Sequence, residues 1–192
     1  MTRTKYRTGM SRTERHTPRT LPPCRFNQAR GTRASITTTS STRPPCRATV
    51  CRAALSLRPS LFAAVVAEVP FVDVVNTMHD ETLPLTVTEW EEWGDPRDPV
   101  YEAYMASYAP YENVRAADGP ALFVTAGLND PRVSFHEPAK WMAKLRATAT
   151  GERPLLLRTE LGMGHSGPSG RYDAWREEAR ALSFLLTVLP RP

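Results

Sequence analysis

The sequence predicts an α/β fold, a parallel sheet with flanking helices over residues 53–192, preceded by a disordered basic segment over residues 1–52. Three observations predict it. Charge divides the chain: residues 1–52 hold twelve Lys and Arg against one acid, a net of +11, whereas the rest holds thirteen against nineteen, a net of −6. Short Val- and Leu-rich runs alternate with longer stretches of helical period. Residue types suited to acyl transfer fall in loops that follow two of those runs, where the carboxyl ends of parallel strands place chemistry.

Each element has its own signal. "AALSLRP" reads as the tail of a helix stopped by Pro59. "FAAVVAEV", residues 62–69, reads as a buried strand ending at Pro70. "EAYMASYA", residues 102–109, reads as a helix within an insertion. "PALFVTAG", residues 120–127, is a second buried strand. Residues 137–151 read as a helix with Trp141, Met142 and Leu145 on one face and Gly151 as the stop. "RPLLLRTEL" gives a third strand near residues 154–161. Residues 171–189 form a closing helix on which Tyr172, Trp175, Ala179, Leu182, Leu186 and Leu189 make one apolar stripe.

The first 52 residues lack apolar periodicity and bury too little surface to offset their ordering entropy. Three readings stand: a basic arm for nucleic acid, a transit-like leader, or out-of-frame text joined to a genuine domain. Cys24, Cys46 and Cys51 all lie there, without disulfide or zinc spacing, so no metal and no cofactor is expected. The cysteine-free remainder suits a reducing compartment, and the cytoplasm is the expected location. The longest apolar run is broken by Glu68, Pro70 and Asp73, so no membrane partner is expected.

Asp130 follows one late strand in "GLNDPRV" and His165 follows the next in "GMGHSG". One strand–helix unit separates them, so their loops are neighbours in a parallel sheet. The order acid, then histidine, is that of the last two triad members of an α/β-hydrolase. The plain alternatives are an exposed loop histidine and an Asx-turn aspartate before Pro131. Ser166 is a poor nucleophile: Pro168 spoils G-x-S-x-G, and no histidine follows it.

"AEVPFVDVVNTM", "PLTVTEWEEWGDP", "SYAPYENV", "LFVTAGLNDPRV", "EPAKWMAKLR" and "GMGHSGPSGRYD" together resemble the C-terminal part of the catalytic domain in the oligopeptidase B group of the prolyl oligopeptidase family of serine peptidases. The resemblance covers roughly residues 53–189. It implies the C-terminal half of an α/β-hydrolase fold, a separate β-propeller domain, short peptide substrates with basic residues, and cleavage after Arg or Lys. It also implies Asp130 as triad acid and His165 as triad base. Glu89 would meet the basic side chain before the scissile bond, and Glu91 a neighbouring basic residue, as carboxylates bind guanidinium. The alternative for "EWEEW" is an acidic surface turn with two tryptophans packed beneath. Arg132 would lie near the substrate main chain, or be a salt-bridged surface residue.

One departure is large. The family's nucleophile elbow would fall near "RPPCRA", residues 43–48, where there is neither glycine nor serine. A fragment without its own nucleophile is therefore expected, and an out-of-frame segment explains the break. The rivals are a non-catalytic binding module and a nucleic-acid binder that uses the basic arm.

Overall fold

A computed structural model of the chain describes residues 34–38, as backbone, and residues 53–190. Four parallel strands run β1 (Ala34–Thr38), β2 (Phe62–Glu68), β3 (Ala121–Gly127) and β4 (Leu155–Glu160), paired in that order. The three strands read from the sequence are present within a residue or two. β1 corrects the expectation of a wholly disordered basic segment. Its "ASITT" carries β-branched residues suited to a pleated edge and pairs with β2 from Ala34↔Phe62 to Thr38↔Ala67. The remainder of the segment, including residues 43–48, lies outside the described residues.

The helices are α1, whose described part is residues 53–57, then α2 (Val74–His79), α3 (Thr86–Trp93), α4 (Pro99–Tyr108), α5 (His136–Thr148) and α6 (Arg171–Val188). α2 to α4 form the insertion between β2 and β3. They share a small core of Val74, Met78, Trp93, Met105 and Ala109. Asp98 caps α4 by accepting from the Val100 N–H at 2.9 Å, and Pro99 follows as first helical residue.

β2 and β3 are covered on both faces, which is why they are continuously apolar. Val65, Ala67, Leu122 and Val124 face Leu55, Trp141 and Met142 on one side. Ala64, Val66, Ala121 and Phe123 face Ala181 and Phe184 of α6 on the other, with the two phenylalanine rings 5.6 Å apart. Two expectations change. α5 ends at Thr148, not Gly151: Ala149 is extended and bridges Ala117, and Thr150 N–H donates to the Ala117 carbonyl at 3.1 Å. Of the stripe on α6, Leu189 packs against the sheet-facing cluster, but most of the rest points away from the sheet. Tyr172, Trp175, Leu182 and Leu186 are 50–76% exposed. A helix this rich in Leu and Ala has two apolar faces, and the sheet takes the one with Ala181 and Phe184.

Candidate active site

The loops after β3 and β4 are sewn together by their backbones. Leu128 N–H donates to the Glu160 carbonyl at 2.9 Å, and Asn129 N–H to the Met163 carbonyl at 3.1 Å. The Asn129 amide adds a bond to the Leu161 carbonyl at 2.8 Å. Gly127 makes this approach feasible, because a Cβ there would stand 2.6 Å from the Met163 carbonyl oxygen.

Asp130 sits at the start of this seam with its side chain fully buried. Its Oδ1 accepts from the backbone N–H of Arg132 at 2.8 Å and of Val133 at 3.0 Å. His165 Nδ1 lies 2.9 Å from Oδ2 and 3.2 Å from Oδ1. The Asx turn and the histidine contact, alternatives in the sequence, are both made by one carboxylate. His165 rides on a tight turn closed by a Gly164–Gly167 bridge, with Gly167 at φ +84°. Its side chain is 24% exposed, so the ring is reachable while its Nδ1 edge is held. Ser166 is exposed in the same turn, on the connection between β4 and α6, and forms no strand-to-helix elbow.

Glu89 is half-buried on α3. Burial pushes its carboxyl above the usual range, Glu92 adds to this, and the Arg132 guanidinium opposes it. Arg132 is exposed and has no ion pair within 4 Å among the described residues, so it is not the salt-bridged surface arginine of the plain reading. The structure thus brings Arg132 into the field of Glu89. It does not bring Glu91 beside Glu89: two residues apart on a helix, they project roughly 200° apart, and Glu91 is exposed. The tryptophans of "EWEEW" do pack beneath. Trp90 donates its indole N–H to the Met78 carbonyl at 3.0 Å, and Trp93 lies between Phe71 and Tyr108.

Sequence reasoning missed Glu137, which is wholly buried. Its Oε2 accepts from the N–H groups of Val72 and Asp73 at 3.1 and 3.0 Å, and its Oε1 from the Thr77 hydroxyl at 2.8 Å. It therefore ties α5 to the start of α2. Burial raises its pKa to about 7 despite those bonds. The available signal was its position four residues before Trp141, on the core face of α5. Asp73 in turn accepts from Lys140 at 2.5 Å, which holds the Lys140 pKa above its ordinary value. Among the described residues no three His, Cys, Asp or Glu side chains are grouped to hold a metal ion, and no helix is long and apolar enough to cross a membrane.

A parallel sheet between helix layers, with a histidine and a buried aspartate on loops after adjacent strands, defines the C-terminal half of an α/β-hydrolase catalytic domain. The chain belongs to the prolyl oligopeptidase family, whose model matches residues 49–191. It is 49% identical over 137 residues to "Protease 2" of Moraxella lacunata, covering 71% of this chain and 20% of that protein. It is 44% identical over 134 residues to "Dipeptidyl aminopeptidase BI" of Pseudoxanthomonas mexicana, covering 70% and 18%. Among solved structures it superposes on oligopeptidase B from Leishmania major with TM-score 0.71 and 45% identity, covering 73% of this chain and 19% of that one. Oligopeptidase B from Trypanosoma brucei, with covalently bound antipain, gives TM-score 0.71 and 48% identity, covering 73% and 20%. The chain spans about a fifth of the length of the curated relatives it matches.

Proposed function

We propose that this chain carries the acid and base of a serine oligopeptidase that cleaves short peptides after Arg or Lys. The observation that carries the reading is the buried Asp130 carboxylate 2.9 Å from His165 Nδ1. A proton on Nδ1 donated to Asp130 leaves Nε2 as the lone pair that accepts a serine hydroxyl proton and later returns it to the leaving amine. Asp130 then stabilises the imidazolium that forms. The serine belongs to a G-x-S-x-G elbow, which the 192 residues do not contain, so the chain alone turns over no peptide. Glu89 receives the basic side chain; its partial burial strengthens a charge-assisted bond to a guanidinium. Arg132, in the field of Glu89, holds the substrate main chain, and Glu91, exposed, meets a second basic residue further out. A propeller domain is the missing partner of the full enzyme, and a reducing cytoplasm suits the cysteine-free residues 53–192.

The test is a chimera in which residues 53–192 replace the segment they match in the Leishmania major oligopeptidase B. It should hydrolyse an arginyl amide. His165→Ala should lower its rate on the order of 10⁴-fold, and Glu89→Gln should raise KM for arginyl substrates more than it lowers kcat. A folded chimera indifferent to His165→Ala sinks the reading. So does stoichiometric labelling of the unaltered 192-residue chain by a serine-directed phosphonate. A salt-dependent affinity for DNA that disappears on deleting residues 1–52 would instead support the basic arm.

A further inference from the structure

Glu137 belongs neither to the Asp130–His165 pair nor to the Glu89 pocket, yet it is wholly buried. A buried carboxylate is costly unless its oxygens are bonded. Replacing buried ionic groups by packed apolar ones is commonly neutral or stabilising, so stability alone does not account for it. What the carboxylate adds is direction. Its donors are the Val72 and Asp73 N–H groups and the Thr77 hydroxyl, all from residues 72–77 at the start of the insertion. Together they fix where α2 begins and how it is rotated. Lys140, one turn further along α5, bonds the Asp73 carboxylate at 2.5 Å and links the same two segments again.

The two ends of this tie lead to two parts of the site. Toward the insertion, Thr77 passes the contact on. Its hydroxyl donates to Glu137, while its carbonyl accepts from the buried Thr86 hydroxyl at 3.4 Å, at the first residue of α3. Met78, next along α2, accepts from the Trp90 indole N–H at 3.0 Å. Glu89 lies between Thr86 and Trp90, so its turn of α3 is held to α2 at both ends. Toward the sheet, Glu137 is the second residue of α5, and its N–H donates to the Ser134 carbonyl at 3.0 Å. Just before Ser134, the N–H groups of Arg132 and Val133 are held by Asp130.

We infer that Glu137 is a positioning residue for substrate recognition: through Thr77 it holds α3 against the Asp130 loop, and so sets where the Glu89 carboxylate stands relative to His165. The inference rests on the proposed role of Glu89 and adds what places that carboxylate. Glu137 itself touches no substrate. Without the tie, α2 to α4 keep their own small core but lose their fixed seat on α5. Glu89 is then displaced, while the Asp130–His165 contact, made within the β3 and β4 loops, stays.

The test uses the chimera with an arginyl amide and its citrullinyl counterpart, which has nearly the same shape without the charge. Glu137→Ala should raise KM for the arginyl amide about tenfold, the loss of much of one charge-assisted bond, with kcat changed less than about threefold. The citrullinyl amide should be hydrolysed as by the parent. Glu137→Gln should restore the arginyl KM, since its amide offers an oxygen to Val72 and Asp73 and an N–H to Thr77. Thr77→Val keeps the shape, removes one donor and should raise the same KM about threefold; it decides the matter if Glu137→Ala does not fold. In a Glu89→Gln background neither variant should raise the arginyl KM further, because both act through Glu89. A Glu137 that only supports the fold would instead affect both substrates alike and in both backgrounds, and that result overturns the inference. So does an unchanged arginyl KM in Glu137→Ala and Thr77→Val. If Glu89→Gln still raises that KM, either result leaves the role of Glu89 standing. Glu89→Gln without effect overturns that role and this inference together.

Discussion

Asp130 performs two tasks with one carboxylate, and they can be separated. Oδ1 holds the turn through the Arg132 and Val133 N–H groups, while Oδ2 orients His165. In the chimera, Asp130→Asn keeps an acceptor for the turn but presents the wrong group to Nδ1. Activity should fall on the order of 10⁴-fold with little change in melting temperature. Asp130→Ala should lose the same activity and also about 1–3 kcal/mol of stability, because two N–H groups lose their acceptor. Equal melting temperatures for both variants would contradict this division. Glu137 makes a pH prediction. Folding raises its pKa from 4.5 to about 7, so the protonated form is the one that folding favours. Its contribution is complete below about pH 4.5 and is lost as pH rises through about 7. Denaturation midpoints should therefore fall across that window, by up to about 3 kcal/mol in stability. Glu137→Gln, which can keep an oxygen toward Val72 and Asp73 and an N–H toward Thr77, should flatten the dependence. A wild-type profile that is level from pH 5 to pH 7.5 would refute it.

At the scale of elements, the close approach of the β3 and β4 loops is what turns two separate loop residues into a pair. Gly127 ends β3 where the Met163 and Gly164 carbonyl oxygens crowd its Cα, at 2.6 and 3.0 Å from where a Cβ would stand. Both neighbours are backbone, so a methyl group cannot be accommodated by a rotamer change. Gly127→Ala should push the loops apart, cost about 1–3 kcal/mol and lengthen the Asp130–His165 contact. Loss of the low-field Nδ1 proton signal of His165, alongside a lower melting temperature, checks it. An unchanged signal would show that the seam does not set the pair.

At the scale of the molecule, α6 carries more apolar surface than the described residues cover. Tyr172 and Trp175 stack edge to face at 5.5 Å and, with Leu182 and Leu186, lie on the outer side of the helix. An exposed apolar patch of this kind favours association. Residues 53–192 expressed alone should self-associate, and Leu182→Glu with Leu186→Lys should shift the population toward monomer without lowering the melting temperature. Light scattering checks it. A monomeric wild-type product, or a double variant that unfolds, would show that the face is not free.

Strands β2 to β4, helices α1, α4, α5 and α6, the family and the pair Asp130–His165 were legible in the sequence, because local apolar period and loop position depend on near neighbours along the chain; the short helices α2 and α3 of the insertion were not. So was the absence of a nucleophile elbow, since G-x-S-x-G is a contiguous pattern. Tertiary structure decided what depends on which surface a residue meets. It turned the Tyr172–Leu186 stripe away from the sheet, although its period matches that of a buried face. It drew "ASITT" from a basic, polar stretch into β1, because pairing with β2 supplies the backbone partners that the segment lacks alone. It set Arg132, rather than Glu91, in the field of Glu89, a relation between α3 and the β3 loop that no local spacing encodes. It buried Glu137, whose three donors come from residues 60 to 65 positions earlier in the chain. Hydrogen bonds across such separations are formed by the packing of α5 on α2, and a linear pattern carries no record of it.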